Sequence, residues 1–197
     1  MDGLQGRDLK TVDRKSNLYR RLVACAATLA TLGAAGTAQA STQGSLGSTS
    51  TGSVSISASV PSRVRISGLS DVAFSNVDPS ADVFNAQNVC VWSNTSTQGY
   101  RLTATGSGAS NAFTLANAAL TVPYTVEWSA SSGQTGGTAL TAGSALTGLT
   151  STATNSNCAS GPSASASLIV KIGAASLQTM NASTSYTGTL TLLVAPE

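Results

Sequence analysis

Few side chains in this sequence of 197 residues could carry out chemistry, and histidine is absent. The Ser-His-Asp and Cys-His nucleophile pairs and most zinc sites are therefore excluded. Asp78 and Asp82 are the closest pair of acids after residue 40, and paired carboxylates can hydrolyse glycosides or bind calcium. They flank Pro79 in a run typical of a solvated turn. We predict no catalytic residues, no metal and no cofactor, so the protein is not expected to be an enzyme.

Glu127 is the best single candidate for contact with a ligand, because it lies in the aromatic run from Tyr124 to Trp128. The favoured interpretation is simpler: Glu127 is an outward-facing residue of an alternating strand. Glycine-rich segments elsewhere do not lie between a strand and a helix, which excludes a phosphate-binding loop.

The first forty residues have the features of an export signal. Basic residues are frequent in 1–21, a short apolar core follows at 22–32, and Ala38-Gln39-Ala40 matches a signal peptidase site. The core is short and rich in Ala and Thr, which favours a cleaved signal over a membrane anchor. We predict a signal peptide over residues 1–40.

Removal of residues 1–40 changes the charge of the chain. Four basic and five acidic side chains remain, so the formal net charge goes from +2 to −1. No basic patch for nucleic acid is left. A surface made of Ser, Thr, Gly, Ala and Asn suits an exported protein that packs against copies of itself.

Two cysteines, Cys90 and Cys158, follow the predicted signal. An even pair in an exported chain predicts one disulfide. A metal site is disfavoured because the two thiols are isolated and form no Cys-x-x-Cys motif.

Alternating apolar and polar residues separated by turn signals predict β-strands along the rest of the chain. No window after residue 40 has a helical period with caps. The number and spacing of the strands predict an all-β fold, an immunoglobulin-like β-sandwich. The strand at 100–106 is expected to pair with the one around Val89 as a hairpin. The predicted strands are 53–60, 63–67, 72–74, 83–92, 100–106, 122–128, 165–172 and 186–194.

The strand at 53–60 has the clearest alternation in the chain. Four apolar residues lie on one face and four serines on the other; the apolar ones are Val54, Ile56, Ala58 and Val60. A polar run at 41–52, predicted to be a flexible leash, precedes it, and Pro61 ends it. We assign 53–197 to one domain that includes this strand. The apolar face can fill a groove in its own domain or in a neighbour.

Residues 129–148 form a long loop rich in Gly, Ser, Thr and Ala. Loops of this length are usually functional or disordered. They support an alternative hypothesis, in which the protein is a self-contained secreted β-sandwich module, such as an adhesin, that binds a glycan or a surface.

Several segments together resemble known proteins. They are Val54–Pro61 followed by Val64–Ile66, Cys90–Asn94 followed by Gly99–Thr103, Val122–Tyr124, and Tyr186–Gly188 before the last strand. Over residues 53–195 the sequence resembles secreted pilin subunits of the chaperone–usher type, including the spore coat protein U domain family and alpha-fimbrial major pilins. Unlike spore coat protein U domains, it has no cysteine in 62–67, so its disulfide framework differs.

The resemblance implies an incomplete immunoglobulin-like sandwich, completed by a strand donated from another subunit. Val54, Ile56, Ala58 and Val60 would occupy pockets of the neighbouring subunit. The implied partners are other copies or related pilin subunits, a periplasmic chaperone and an outer-membrane usher, without nucleic acid or a small-molecule substrate. The implied function is a structural subunit of a pilus-like or fimbria-like surface fibre. The chain would be exported through the inner membrane and would cross the periplasm to the cell surface.

Overall fold

β-strands make up most of the regular structure in residues 41–197, the part of the chain that our computed structural model describes. The predicted signal peptide lies outside the described residues. The chain divides into two units, one ending at Ser59 and the other running from Val60 to Glu197. Among the described residues, no helix has the length and hydropathy that a membrane crossing requires.

The second unit contains ten strands and one short α-helix, α1 (Ala174–Leu177). A single 3-10 turn spans Ala109–Asn111. The strands are β1 (Val64–Ser67), β2 (Val83–Ser93), β3 (Gly99–Gly106), β4 (Thr114–Asn117), β5 (Leu120–Pro123), β6 (Thr125–Ser129), β7 (Thr138–Ala139), β8 (Ala145–Thr150), β9 (Ala166–Ile172) and β10 (Leu190–Pro196).

The strands form two main antiparallel sheets and a small hairpin. The five-stranded sheet has the order β1-β2-β9-β6-β7, and the three-stranded sheet has the order β10-β3-β8. β4 and β5 pair with each other. The predicted all-β sandwich is confirmed.

The core forms between the inner faces of the two main sheets, because alternate residues of each strand point inward. It is built mainly from aliphatic side chains of β2, β3, β6 and β9. Two larger residues bridge the sheets: Trp128 of β6 donates an indole N–H to the Tyr100 hydroxyl of β3 at 3.1 Å. This hydrogen bond satisfies both buried polar groups, so two bulky aromatic residues can fill the centre.

A second, smaller cluster lies on the outer face of the five-stranded sheet. The predicted disulfide between Cys90 and Cys158 is present there, beside the buried Ala153 and the half-buried Trp92. Cys90 is on β2, and Cys158 lies in the long connection between β8 and β9. The disulfide therefore fixes this connection against the sheet.

The predicted hairpin between the Val89 and Tyr100 strands is wrong. β2 pairs with β1 and β9, whereas β3 pairs with β10 and β8. The connection between β2 and β3 instead passes from one sheet to the other. It is held by the Ser93 hydroxyl, which donates to the carbonyl of Gly99 at 2.8 Å.

Three further predicted strands differ from the structure, in addition to 53–60, which is described below. Residues 122–128 are divided at Tyr124 between β5 and β6, which belong to different sheets. Residues 72–74 form no strand, because their backbone has no ladder partner among the described residues. The last strand begins at Leu190 rather than at Tyr186, because Thr187 forms two backbone hydrogen bonds with Ala116 of β4. A β-carbon on Gly188 would lie 2.8 Å from the Thr114 carbonyl oxygen, so this close approach requires glycine.

Candidate functional site: an apolar groove beside an unpaired strand

The second unit carries a groove with a volume of about 1190 Å³. Its two sides are residues 69–77, called here the wall segment, and residues 180–192, which include the start of β10. Both sides contain polar as well as apolar residues. The groove thus lies between the continuation of β1, from the five-stranded sheet, and β10 of the three-stranded sheet.

The floor of the groove is part of the core. Leu168, Val170 and Ile172 of β9 line it along its length, because alternate residues of that strand face inward. Tyr124 and Leu177 line it as well, and burial raises the pKa of the Tyr124 hydroxyl. These five side chains are at most 9% exposed, so an occupant would add contacts to a floor that is already largely covered.

The wall segment follows β1 and leaves β2 at Gly68. The positive φ of Gly68, 81°, turns the chain at this point, and few other residues adopt that conformation without strain. Val72 and Phe74 of the wall are half-buried against the core. Within residues 41–197, the backbone of 69–77 forms no hydrogen bond with another backbone group.

The opposite side of the groove contains β10, the edge strand of the three-stranded sheet. β10 pairs with β3 from Leu190 to Pro196, which uses only one of its two edges. Leu190 and Leu192 line the groove and are half-buried, whereas Leu193 points outward and is 64% exposed. The groove is thus bordered on both sides by unpaired backbone, which is the geometry that accepts an added strand.

The N-terminal segment, residues 53–60, is exposed throughout its length. The exposed fractions are 73% for Val54, 87% for Ile56 and 83% for Val60, and Ala58 is exposed as well. Residues 54–60 belong to no hydrogen-bonded strand in the part of the chain that the structure describes. The assignment of these four side chains to a partner's groove stays a prediction. Large apolar side chains exposed in series are typical of a binding surface.

The predicted leash, 41–52, contains one feature that the sequence did not indicate. Thr42 and Ser53 exchange two backbone hydrogen bonds of 3.0 Å, and their hydroxyls are 2.6 Å apart. Residues 42–53 therefore form a closed loop that ends at the first residue of the N-terminal segment.

Asn94 holds the residues that follow the N-terminal segment. Its side chain accepts a hydrogen bond from the Arg63 N–H and donates one to the Pro61 carbonyl at 2.9 Å. The Asn94 N–H also donates to the Arg63 carbonyl at 3.1 Å. These bonds continue the pairing of β1 with β2 back to Pro61, within the second unit.

Glu127, the candidate for contact with a ligand, has structural partners. Glu127 forms an ion pair with Lys171 at 2.6 Å, and the hydrogen bond from Lys171 is the main reason that its pKa is lowered. Glu127 also accepts a hydrogen bond from the Gly137 N–H. This arrangement agrees with the predicted outward-facing strand position.

The predicted turn at Asp78 and Asp82 is also organised by hydrogen bonds. Asp78 accepts one from the Ser80 N–H, which lowers its pKa, and Asp82 accepts one from the Ala174 N–H of α1. Within residues 41–197, no group of three or more histidine, cysteine or acidic side chains is arranged to hold a metal ion.

Part of the loop at 129–148 is hydrogen-bonded to side chains on the outer face of the five-stranded sheet. Asn88 accepts a hydrogen bond from the Gly133 N–H at 2.6 Å, and the Ser167 hydroxyl accepts one from the Gln134 N–H at 3.0 Å. The loop also contains β7 and the beginning of β8. Its first half is therefore attached to the sheet.

The comparisons with known proteins give partial likenesses to solved structures alone. No family model matches the sequence, and no curated protein matches it. One similar solved chain comes from a structure described as a chaperone–tip adhesin complex in CFA/I fimbriae biogenesis, with a TM-score of 0.43 and 14% identity. The match covers 69% of this chain and 41% of that chain. The functional conclusion therefore rests on the groove and the N-terminal segment.

Proposed function

We propose that this protein is a structural subunit of an exported, pilus-like surface fibre. In this proposal, residues 53–60 of one copy enter the apolar groove of the next copy and complete its sandwich. The observation that carries the proposal is the groove itself, which has an apolar floor and unpaired backbone on both sides. The same chain carries an exposed segment with the alternation that such a groove requires.

Backbone and side chains would contribute in different ways to this association. An inserted strand can form ladder hydrogen bonds with β10 on one side and with the wall segment on the other. Val54, Ile56 and Val60 would each contribute about 1.5–3 kcal/mol if fully transferred from water into the groove. Ala58 would add little burial, and its small side chain leaves room where the groove is narrow.

An open groove explains why the proposed subunit needs a chaperone and an usher. An unpaired edge next to an apolar cavity promotes aggregation unless something covers it. The proposed course is that a periplasmic chaperone covers the groove, an outer-membrane usher receives the complex, and the next copy then replaces the chaperone. The fibre would lie on the cell surface. In this proposal the protein has no enzymatic activity and binds no cofactor.

Substitution of Ile56 by aspartate tests the proposal. Ile56→Asp should abolish polymer formation, because an unpaired carboxylate in an apolar pocket costs several kcal/mol. Ser57→Asp is the matched control, since it adds the same charge one residue further along on the polar face. Polymer is measured by electron microscopy and by sedimentation of material from the cell surface.

Equal amounts of polymer from the wild type and Ile56→Asp would overturn the proposal, and so would an equal loss in both variants. The proposal also fails if the intact chain is a stable monomer without any chaperone. The alternative of a glycan-binding module predicts instead that the monomer binds immobilised glycans and that Ile56→Asp does not affect the binding.

A further inference from the structure

Gln87 of β2 forms an unusual set of contacts with the wall of the groove. Its side-chain oxygen accepts hydrogen bonds from the Ser70 N–H at 2.8 Å and from the Ser70 hydroxyl at 3.1 Å. Its side-chain N–H donates to the Ser70 carbonyl at 3.1 Å. The amide of Gln87 therefore pairs with both backbone groups of Ser70, as a peptide group of a neighbouring strand would.

These three bonds are the only hydrogen bonds found to the wall segment, residues 69–77, within residues 41–197. The segment diverges from β2 at Gly68, so the β1–β2 ladder ends at Ser67. Beyond Ser70, the wall is otherwise held by the partial burial of Val72, Phe74 and Val77. The polar backbone groups of residues 71–77 stay available to another strand.

We propose that Gln87 is a positioning residue that holds the groove open for a strand from a second copy of this chain. The inference rests on the proposed function and deepens it. A neighbouring strand at this position would pair with the backbone N–H and carbonyl groups of several wall residues. The Gln87 side chain pairs with Ser70 alone, so it keeps the wall in place and leaves the backbone groups of residues 71–77 free for an added strand.

Loss of these hydrogen bonds should weaken strand binding. Without them the wall can leave its position, and its apolar side chains can collapse across the groove. An incoming strand must then order the wall as it binds, so the apparent affinity falls with the fraction of molecules that are competent to bind.

The test uses the full chain, freshly released from its chaperone and too dilute to polymerise, and a fluorescent peptide with the sequence of residues 53–61 as the probe. Gln87→Met keeps a side chain of similar length but removes all three hydrogen bonds. Gln87→Glu keeps the acceptor for the Ser70 N–H. Asn88→Ala is the matched control. The Asn88 side chain also accepts a backbone hydrogen bond, from the Gly133 N–H, but it lies on the outer face of the sheet, away from the groove. Fluorescence anisotropy measures peptide dissociation, and thermal melting measures the stability of each variant.

We expect Gln87→Met to bind the peptide about tenfold more weakly than the wild type, which corresponds to the contribution of about one net hydrogen bond. Asn88→Ala should stay within about twofold of the wild type, and Gln87→Glu should fall between them. Equal affinities of Gln87→Met and Asn88→Ala for the peptide, at equal stability, would overturn the inference and leave the proposed function intact. If the wild type binds no peptide, the proposed function fails and the inference fails with it.

Discussion

Side-chain hydroxyls and amides complete the hydrogen bonding of β2 where its partner strands end. β9 pairs with β2 only as far as Val89. Beyond that point, the Ser165 hydroxyl accepts a hydrogen bond from the Val91 N–H at 2.9 Å and donates one to the Val91 carbonyl at 2.7 Å. The Ser151 hydroxyl donates a second hydrogen bond to the same carbonyl. Because buried backbone groups must be paired, these serines allow β2 to be longer than the strand beside it. The abundance of serine in this sequence thus has a structural role as well as a solvating one.

The ion pair between Glu127 and Lys171 predicts a small pH dependence of stability. The folded-state pKa of Glu127 is lowered from its usual value of 4.5, so the pair stabilises the fold above that pH and the contribution is lost as the pH falls below it. Glu127→Gln should lower the free energy of unfolding by less than about 1 kcal/mol at pH 7, since the pair is partly exposed. Urea unfolding of both proteins at pH 7 and pH 3 measures the difference.

The difference should become smaller as the pH falls from 7 to 3, because a carboxylate with a lowered pKa loses its stabilising contribution in that direction. Lys171→Met combined with Glu127→Gln serves as the control, because the second substitution should cost little once the partner is gone. A difference that persists unchanged at pH 3 would show that the ion pair is not its source.

At the level of strands, the sequence predicts which segments are extended but not which sheet each one joins. Alternation shows that a strand has one buried face, and both inner faces of a sandwich provide the same apolar surroundings. β2 and β3 therefore give no local signal that distinguishes a hairpin from a crossing between sheets. The crossing depends on distant partners, β9 for one strand and β10 for the other.

Of the two parts of the candidate site, only the N-terminal segment could be predicted from the sequence. The N-terminal segment has strong alternation, whereas the groove is formed by segments distant in sequence. Val72 and Phe74 of the wall alternate like a strand, so the sequence predicts a strand there, but pairing requires a partner that the described chain does not supply. Gln87 gave a weak signal, since it is a polar residue on the inward face of β2. Only the structure shows that it meets Ser70.

Neighbouring residues of β10 provide a test of the accepting side of the groove. Leu192→Glu should reduce binding of the 53–61 peptide by a factor of at least about one hundred, because it places an unpaired carboxylate against the apolar floor. Leu193→Glu introduces the same charge on the outward face and should bind peptide like the wild type. Titration of labelled peptide into each variant, freshly released from its chaperone and too dilute to polymerise, gives the affinities. Comparable binding by both variants would place the strand elsewhere.

At the scale of the whole molecule, the sandwich of each chain is incomplete by itself in the proposed fibre and is completed by a strand from its neighbour. Head-to-tail contacts of this kind are heterologous, so they produce open filaments when rotation does not close them into a ring. The small number of charges after residue 40 suits such packing, because few ions need to be desolvated at the contacts between copies.

Deletion of residues 41–61 tests the division of roles in which the N-terminal segment donates a strand and the groove accepts it. The shortened protein should fold with a chaperone and bind the 53–61 peptide, but it should form no polymer, because it retains the groove and lacks the segment. Added to wild-type protein, it should be incorporated only as a terminal copy and shorten the fibres. Fibre length is measured by electron microscopy. Long fibres from the shortened protein alone would refute the division.

The attachment of Pro61 and Arg63 to Asn94 has a mechanical consequence. Tension on the N-terminal segment enters the sandwich at Pro61 and passes at once into β1, which begins at Val64. Ladder hydrogen bonds between antiparallel strands lie across the strand direction, so a pull along β1 loads them in shear and all together. Asn94 bears the load first, and the four residues of β1 bear it next. In the proposed fibre, the tensile strength of each link would therefore be set by β1 and Asn94.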